Sequence, residues 1–374
     1  MRTLIRSMTP DELAFVFRSF PSDALVDLLL LFSPDEVRQI IGRTPADAAL
    51  PAIGQLPPET VTRIFGPPSK ALEAELGDVV GGREFASLDE LNSALGAHFE
   101  ARNSRPLDDF CGLSADQMQA MLEGPHRCGR LFEFAERTSA EPHAPAALVL
   151  GRLVEAAGRA GGIKPTATGN LPLVFCRETQ EALYTAFATV RPKYGDRLRS
   201  EEDFALLHAI HVVAKEVGYV RTYRGRIVLG REARDLLKKG GMQVLFPHFL
   251  AAYSMVFNWG YLDRLPELPF IQRSYLYPLY LLHRFGETWR PQVFYEDLYL
   301  RAFPTVLSEV PPHPYRDAES DVRLTLTWQF FARFALWFGF AAVEPVSTSE
   351  GLGTREHFRI RKGPMFDQLV QIRV

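Results

Sequence analysis

Cysteine is scarce in this chain of 374 residues. Only Cys111, Cys128 and Cys176 occur, an odd number with no Cys-x-x-Cys pair. That excludes a disulfide framework, removes the usual zinc-finger spacing and fits a reducing cytoplasm. Long apolar runs are missing too. The most hydrophobic stretch, residues 328–343, is short and broken by Arg333, so it reads as a buried core helix rather than a membrane span. The start of the chain does not read as a signal peptide, because Asp11 and Glu12 follow Arg2 and Arg6 before any apolar stretch. Catalytic signatures are also lacking. There is no Gly-x-Ser-x-Gly, and Gly240-Gly241 and Gly351-Leu352-Gly353 are too short for a phosphate loop. His208 and His211 have a helical spacing but no glutamate between them, and read as core or surface histidines. A non-catalytic chain with no metal and no cofactor is therefore expected.

Charge of one sign is nearly cancelled overall, at a net −3, but it is unevenly spread. Residues 1–122 carry a net −8 and residues 142–240 a net +6, while residues 241–374 are neutral. An acidic front and a basic middle suggest different partners for different parts.

The front is repetitive. Thr9-Pro10-Asp11-Glu12, Ser33-Pro34-Asp35-Glu36 and Pro57-Pro58-Glu59-Thr60 open three rows with a period of 24. Further proline starts fall near mid-row at Pro21, Pro45 and Pro68. Ser or Thr can cap the first free N–H groups, proline tolerates the first helical position, and the acids meet the positive end of the helix dipole. Each row predicts two short helices that must stack on each other through Leu13, Phe17, Leu25, Leu28, Leu29, Val37, Ile40, Ile41, Val61 and Ile64. This grammar resembles the short-helix superhelical domains built from leu-pro-pro-glu repeats, such as the N-terminal domain of certain magnesium transporters. The resemblance implies a surface offered to a protein partner.

Behind the front, one plan appears twice. Helices are predicted at 147–160, 171–189 and 203–217, with a hairpin at 219–229 turning on Arg224-Gly225-Arg226 and a closing helix at 231–239. Helices at 270–285, 293–307 and 321–338 precede a second pairing of 340–346 with 357–361. Gly218-Tyr219 and Gly339-Phe340 hold the same place in each copy. The order is that of a winged helix. The expected fold is mainly α: a short-helix repeat domain over 1–100, connecting helices over 101–144, a basic winged-helix-like module over 145–245 and a second one over 246–374.

Gly112–Met118, Lys164–Pro172, Phe257–Asp263 and Trp289-Arg290-Pro291 resemble a segment of uncharacterised bacterial proteins that often lies beside plasmid ORF-3-type domains. The resemblance spans roughly residues 108–374 and implies architecture, not activity.

One feature has a chemical partner in view. Arg221, Arg224, Arg226, Arg231 and Arg234 crowd the hairpin and the helix after it. Lys164, Thr166, Thr168, Asn170 and Arg177 sit at the turn and start of the second helix, a candidate recognition helix. Arginines on a wing attract phosphates, and small polar residues at a helix start can bind them. The expectation is contact with nucleic acid, duplex DNA before RNA, with a protein partner on the N-terminal repeat and no membrane. The alternative is a protein scaffold in which the winged modules are structural. It draws on the apolar Leu171–Phe175 and on Glu178 and Glu181 in the candidate recognition helix.

Overall fold

The computed structural model describes residues 5, 8–44, 48–49, 53, 56–65, 88–125, 128–129, 131–191, 197–262, 265, 267–313, 315–346 and 357–373. The fold is mainly helical with small antiparallel sheets. The chain forms two units, Met1–Ala101 and Arg102–Val374. No helix among the described residues is long and apolar enough to cross a membrane.

In the first unit, α1 (Pro10–Ser19), α2 (Ser22–Leu29), α3 (Pro34–Arg43) and α4 (Pro58–Phe65) are short, and α5 (Leu88–Asn103) crosses the boundary between the units. The caps explain the starts. The Thr9 amide donates to Glu12 Oε2 at 2.7 Å while the Glu12 amide donates to Thr9 Oγ1 at 3.3 Å. The same reciprocal box recurs 24 residues on, between Ser33 and Glu36, at 2.8 and 3.4 Å. Leu13, Phe17, Leu25, Leu29, Val37, Ile40 and Ile64 are buried together, with Leu28, Ile41 and Val61 half-buried against them. The predicted mid-row starts at Pro45 and Pro68 lie outside the described residues.

The second unit starts with α6 (Ala115–Glu123) and β1 (Phe132–Phe134). Next come α7 (Pro145–Gly158), α8 (Leu173–Ala186), α9 (Ala205–Glu216), the hairpin β2 (Val220–Tyr223) and β3 (Arg226–Leu229), and α10 (Arg231–Gly240). Then follow α11 (Met242–Val256), α12 (Pro269–Arg273), α13 (Leu276–Phe285), β4 (Arg290–Pro291) and α14 (Gln292–Ala302). Helix α15 (Ala318–Thr325) runs on as a π-helical segment, Leu326–Ala335, ahead of β5 (Ala341–Val346) and β6 (His357–Lys362). Helix α16 (Phe366–Leu369) and β7 (Val370–Ile372) close the unit. The stretch read from sequence as a connector supplies β1, which pairs with β7 in the register Phe132↔Ile372.

Two stretches of the second unit share a strand pairing. After α7, Ile163 bridges Ile227 on β3, and after α13, β4 pairs with β6. In both places the short segment lies beside the second strand of the following hairpin. The glycines follow the same rule. Gly218 and Gly339 have φ of 73° and 76°, a left-handed conformation that turns the chain from helix into strand. Gly230 and Gly363 lie behind them, donating to Tyr219 O at 2.8 Å and Phe340 O at 2.7 Å. A Cβ on Gly230 would overlap the carbonyl oxygen of Gly218, and one on Gly363 that of Gly339.

The elements before and after α11 share one apolar core. Helix α11 joins them: Phe246 and Tyr253 meet Phe338 with ring centroids 5.6 and 5.0 Å apart. Sequence reading passed over α11, because it is apolar on most sides and contains Pro247, ordinarily a helix breaker. The fold accommodates the proline from outside the helix. The carbonyl it releases, Gln243 O, accepts the Thr138 amide at 3.0 Å.

The predicted single helices at 270–285 and 293–307 are each shorter in the structure. The first breaks between α12 and α13 at Ser274, whose hydroxyl bonds back to Phe270 O at 2.7 Å. The second ends at Ala302, ahead of Pro304 and a 3₁₀ turn. Residues 347–356, between β5 and β6, lie outside the described residues.

Candidate nucleic-acid interface

The basic hairpin is built from four paired residues on each side, from Val220↔Leu229 to Tyr223↔Arg226. Val220 and Ile227 are buried and anchor it, while Arg221, Thr222, Tyr223, Arg224, Gly225 and Arg226 are exposed. The two turn residues, Arg224 and Gly225, have φ of 48° and 70°. This is the left-handed pair that a tight two-residue hairpin turn requires, and asparagine or glycine usually fills its first place. Arginine there stands against its own backbone preference at a cost of about 1 kcal/mol.

Tyr223 forms the centre of the cluster. The guanidinium groups of Arg221 and Arg224 lie 5.2 and 5.3 Å from its ring centroid. Among the described residues, Arg221, Arg224 and Arg226 have no acidic partner within ion-pair distance. The arginines of α10 are engaged differently. Arg231 reaches Asp235 at 3.5 Å, and Arg234 donates to Leu229 O at 3.2 Å.

The polar turn ahead of α8 is fastened to the hairpin, since Ile163 exchanges backbone bonds of 2.9 and 2.8 Å with Ile227. Lys164 leaves this bridge exposed. The remaining polar residues close the turn on itself. The Thr166 amide donates to Asn170 O at 2.8 Å, the Asn170 amide donates to Thr166 Oγ1 at 3.0 Å, and the Thr166 and Thr168 hydroxyls meet at 3.0 Å. Asn170 Nδ2 reaches Glu202, and Arg177 donates to Leu198 O, each at 3.4 Å. Among the described residues Lys164, like the hairpin arginines, has no acidic partner within ion-pair distance, while Thr166, Thr168, Asn170 and Arg177 make local hydrogen bonds.

The helix directly before the hairpin, α9, is mostly interior. Leu206, Leu207, Ala209, Ile210, Val213 and Ala214 are buried, as are His208 and His211. Their partner is Glu201, which sequence reading missed. Both histidines turn Nδ1 to Glu201 Oε1 at 2.9 Å, and Glu201 Oε2 accepts the Leu171 amide. Burial alone would raise the Glu201 carboxyl, but the bonds from His208 and His211, the charge of His211 and the Leu171 amide outweigh it and lower it to about 2. One interior carboxylate thereby holds the start of α8 to α9. Its only sequence signal was the run Glu201-Glu202-Asp203, which reads as an ordinary acidic helix start.

Cys111, Cys128 and Cys176 are free and buried, and burial pushes the Cys128 and Cys176 thiols up to about 11 and about 12. Among the described residues, no group of three His, Cys, Asp or Glu side chains is placed to hold a metal ion. No family model, curated protein or solved structure matches this chain.

Proposed function

We propose that this chain is a non-catalytic binding protein whose residues 145–245 form a winged-helix-like module that contacts duplex DNA through its wing. The observation that carries the reading is the exposed hairpin tip. Arg221 and Arg224 flank Tyr223 and Arg226 pairs across the hairpin from it, none with an acidic partner within ion-pair distance among the described residues, and Arg224 occupies a left-handed backbone position. Lys164 extends the cluster along the strand that bridges β3. The helix read from sequence as the recognition helix is α8, but with Ile163 bridging the hairpin the helix in the groove-entering place of a winged helix is α9, directly before the hairpin, and its apolar face is buried. The contact we propose is therefore a backbone contact, made by the wing and strongly salt-dependent, with little base readout. The acidic N-terminal repeat is proposed to engage a protein partner.

An electrophoretic shift with a 20-base-pair duplex, run across a salt series, tests this. Binding is expected at low salt, and Arg221, Arg224 and Arg226→Ala together should reduce the slope of log K against log salt by about 2.7, three phosphate contacts' worth. Absence of binding at low salt would overturn the reading. The buried α9 favours a second reading, in which the modules are structural and the chain is a protein scaffold. That reading requires the triple variant to behave as wild type in the shift.

A further inference from the structure

The basic hairpin carries an exposed aromatic ring as well as its cations. Tyr223, the last residue of β2, is 48 % exposed. Side chains alternate along a strand, so Arg221 and Tyr223 share one face of the hairpin. Arg226 pairs directly across from Tyr223 and belongs to that same face. Val220 and Ile227 belong to the other face and are buried. One side of the wing therefore anchors the hairpin, and the other presents a ring among arginines to solvent.

Magnitudes decide how the ring is used. The Arg221 and Arg224 guanidinium groups lie 5.2 and 5.3 Å from its centroid. Such a contact at an exposed site favours the pair by only about two- to fivefold. A phosphate offers each guanidinium two charge-assisted hydrogen bonds, the stronger kind. Stacking of a base on an aromatic ring favours a complex by about five- to a hundredfold. Bound nucleic acid therefore draws the arginines from the ring to phosphates, and a base takes their place on it.

The ring also selects the form of the nucleic acid. Inside a continuous duplex both faces of each base are covered by its neighbours, so the ring would meet only sugar and phosphate. An unpaired base has a free face. Exposed cations without acidic partners among the described residues, placed around one exposed ring, match what a single strand offers: phosphates for the cations and a base for the ring. The buried apolar face of α9 leaves the wing as the contact that can discriminate.

Resting on the reading that the wing contacts DNA, we infer that it prefers duplex DNA bearing unpaired bases, with Tyr223 stacking on the first of them. The test is fluorescence anisotropy of the full chain with two DNAs at one salt concentration. One is a blunt 25-base-pair duplex. The other is a 20-base-pair duplex with a five-base 3′ tail, 2-aminopurine followed by four thymines, and so carries fewer phosphates. The tailed DNA should bind about tenfold tighter, the contribution of one stacked base. Binding should quench the 2-aminopurine, since stacking quenches it. Tyr223→Phe should keep the preference and the quench. Tyr223→Ala, on the exposed face, should lose both while its affinity for the blunt duplex stays within about twofold, because the arginines that hold phosphate remain. Equal affinity for the two DNAs, or a preference and quench that survive Tyr223→Ala, would overturn this inference alone. Binding of neither DNA at low salt would overturn the wing reading and this inference with it.

Discussion

Glu201→Gln keeps the size of the side chain at the α8–α9 junction and removes its charge. The carboxylate is fully buried and accepts from His208, His211 and the Leu171 amide. A glutamine can offer its oxygen to the histidines or to the amide, but its NH₂ group must then face the remaining donor. The magnitude follows from linkage. A carboxyl held at about 2 when folded, against 4.5 as its ordinary value, contributes about 3 kcal/mol to stability. Because the folded value is the lower one, this contribution is complete above pH 4.5 and is lost as pH falls from 4.5 toward 2. All four tryptophans, Trp259, Trp289, Trp328 and Trp337, lie in the second unit, so their fluorescence reports its unfolding alone. Urea titrations at pH 7 should show the variant less stable by ~2–4 kcal/mol. Between pH 4.5 and 2 the wild type should lose stability more steeply than the variant, by up to ~1.4 kcal/mol per pH unit for one extra proton. A variant within 0.5 kcal/mol of wild type at pH 7, or one with an unchanged acid slope, would refute the argument.

Further outcomes follow from local geometry. Arg224→Asn puts a residue suited to the left-handed turn at the hairpin tip, and should raise stability by about 0.5 kcal/mol while weakening DNA binding, read by thermal melting and by the electrophoretic shift. Gly230→Ala should cost more than 3 kcal/mol or prevent folding, because its Cβ would overlap Gly218 O. Gly161→Ala, with φ of 88° and nothing within 4 Å, should cost only about 1 kcal/mol in the same melting experiment. Ser33→Ala breaks the capping box of α3, and hydrogen exchange there should accelerate about fivefold, equivalent to ~1 kcal/mol.

Where local chemistry decides structure, the sequence was readable. Ser or Thr before proline with glutamate three places on is a complete instruction for a helix start, and the boxes at Thr9 and Ser33 follow it. Arg224-Gly225 between two strand-forming segments marked a hairpin turn, and Gly218 and Gly339 marked the helix-to-strand turns because their backbone angles suit glycine. Features that depend on distant partners were not readable. Pro247 looks like a helix breaker until Thr138, far away in sequence, accounts for the carbonyl it frees. Glu201 looks like a solvated acid until α9 brings two histidines to it. Tyr223 went unnoticed among its arginines, because an alternating strand does not reveal which exposed aromatic ring two cations will share. Thr166, Thr168 and Asn170 have the right composition for a phosphate site, but the turn uses their bonds internally.

The pairing of β1 with β7 has a kinetic consequence. Phe132 and Ile372 are about 240 residues apart, whereas the β2–β3 hairpin closes over a two-residue turn. Loop-closure entropy grows with the logarithm of separation, so the distant pairing costs roughly 4 kcal/mol more to initiate than the hairpin. Three residue pairs cannot meet that cost alone. The strands must therefore meet late, after the shared aromatic core has brought them together.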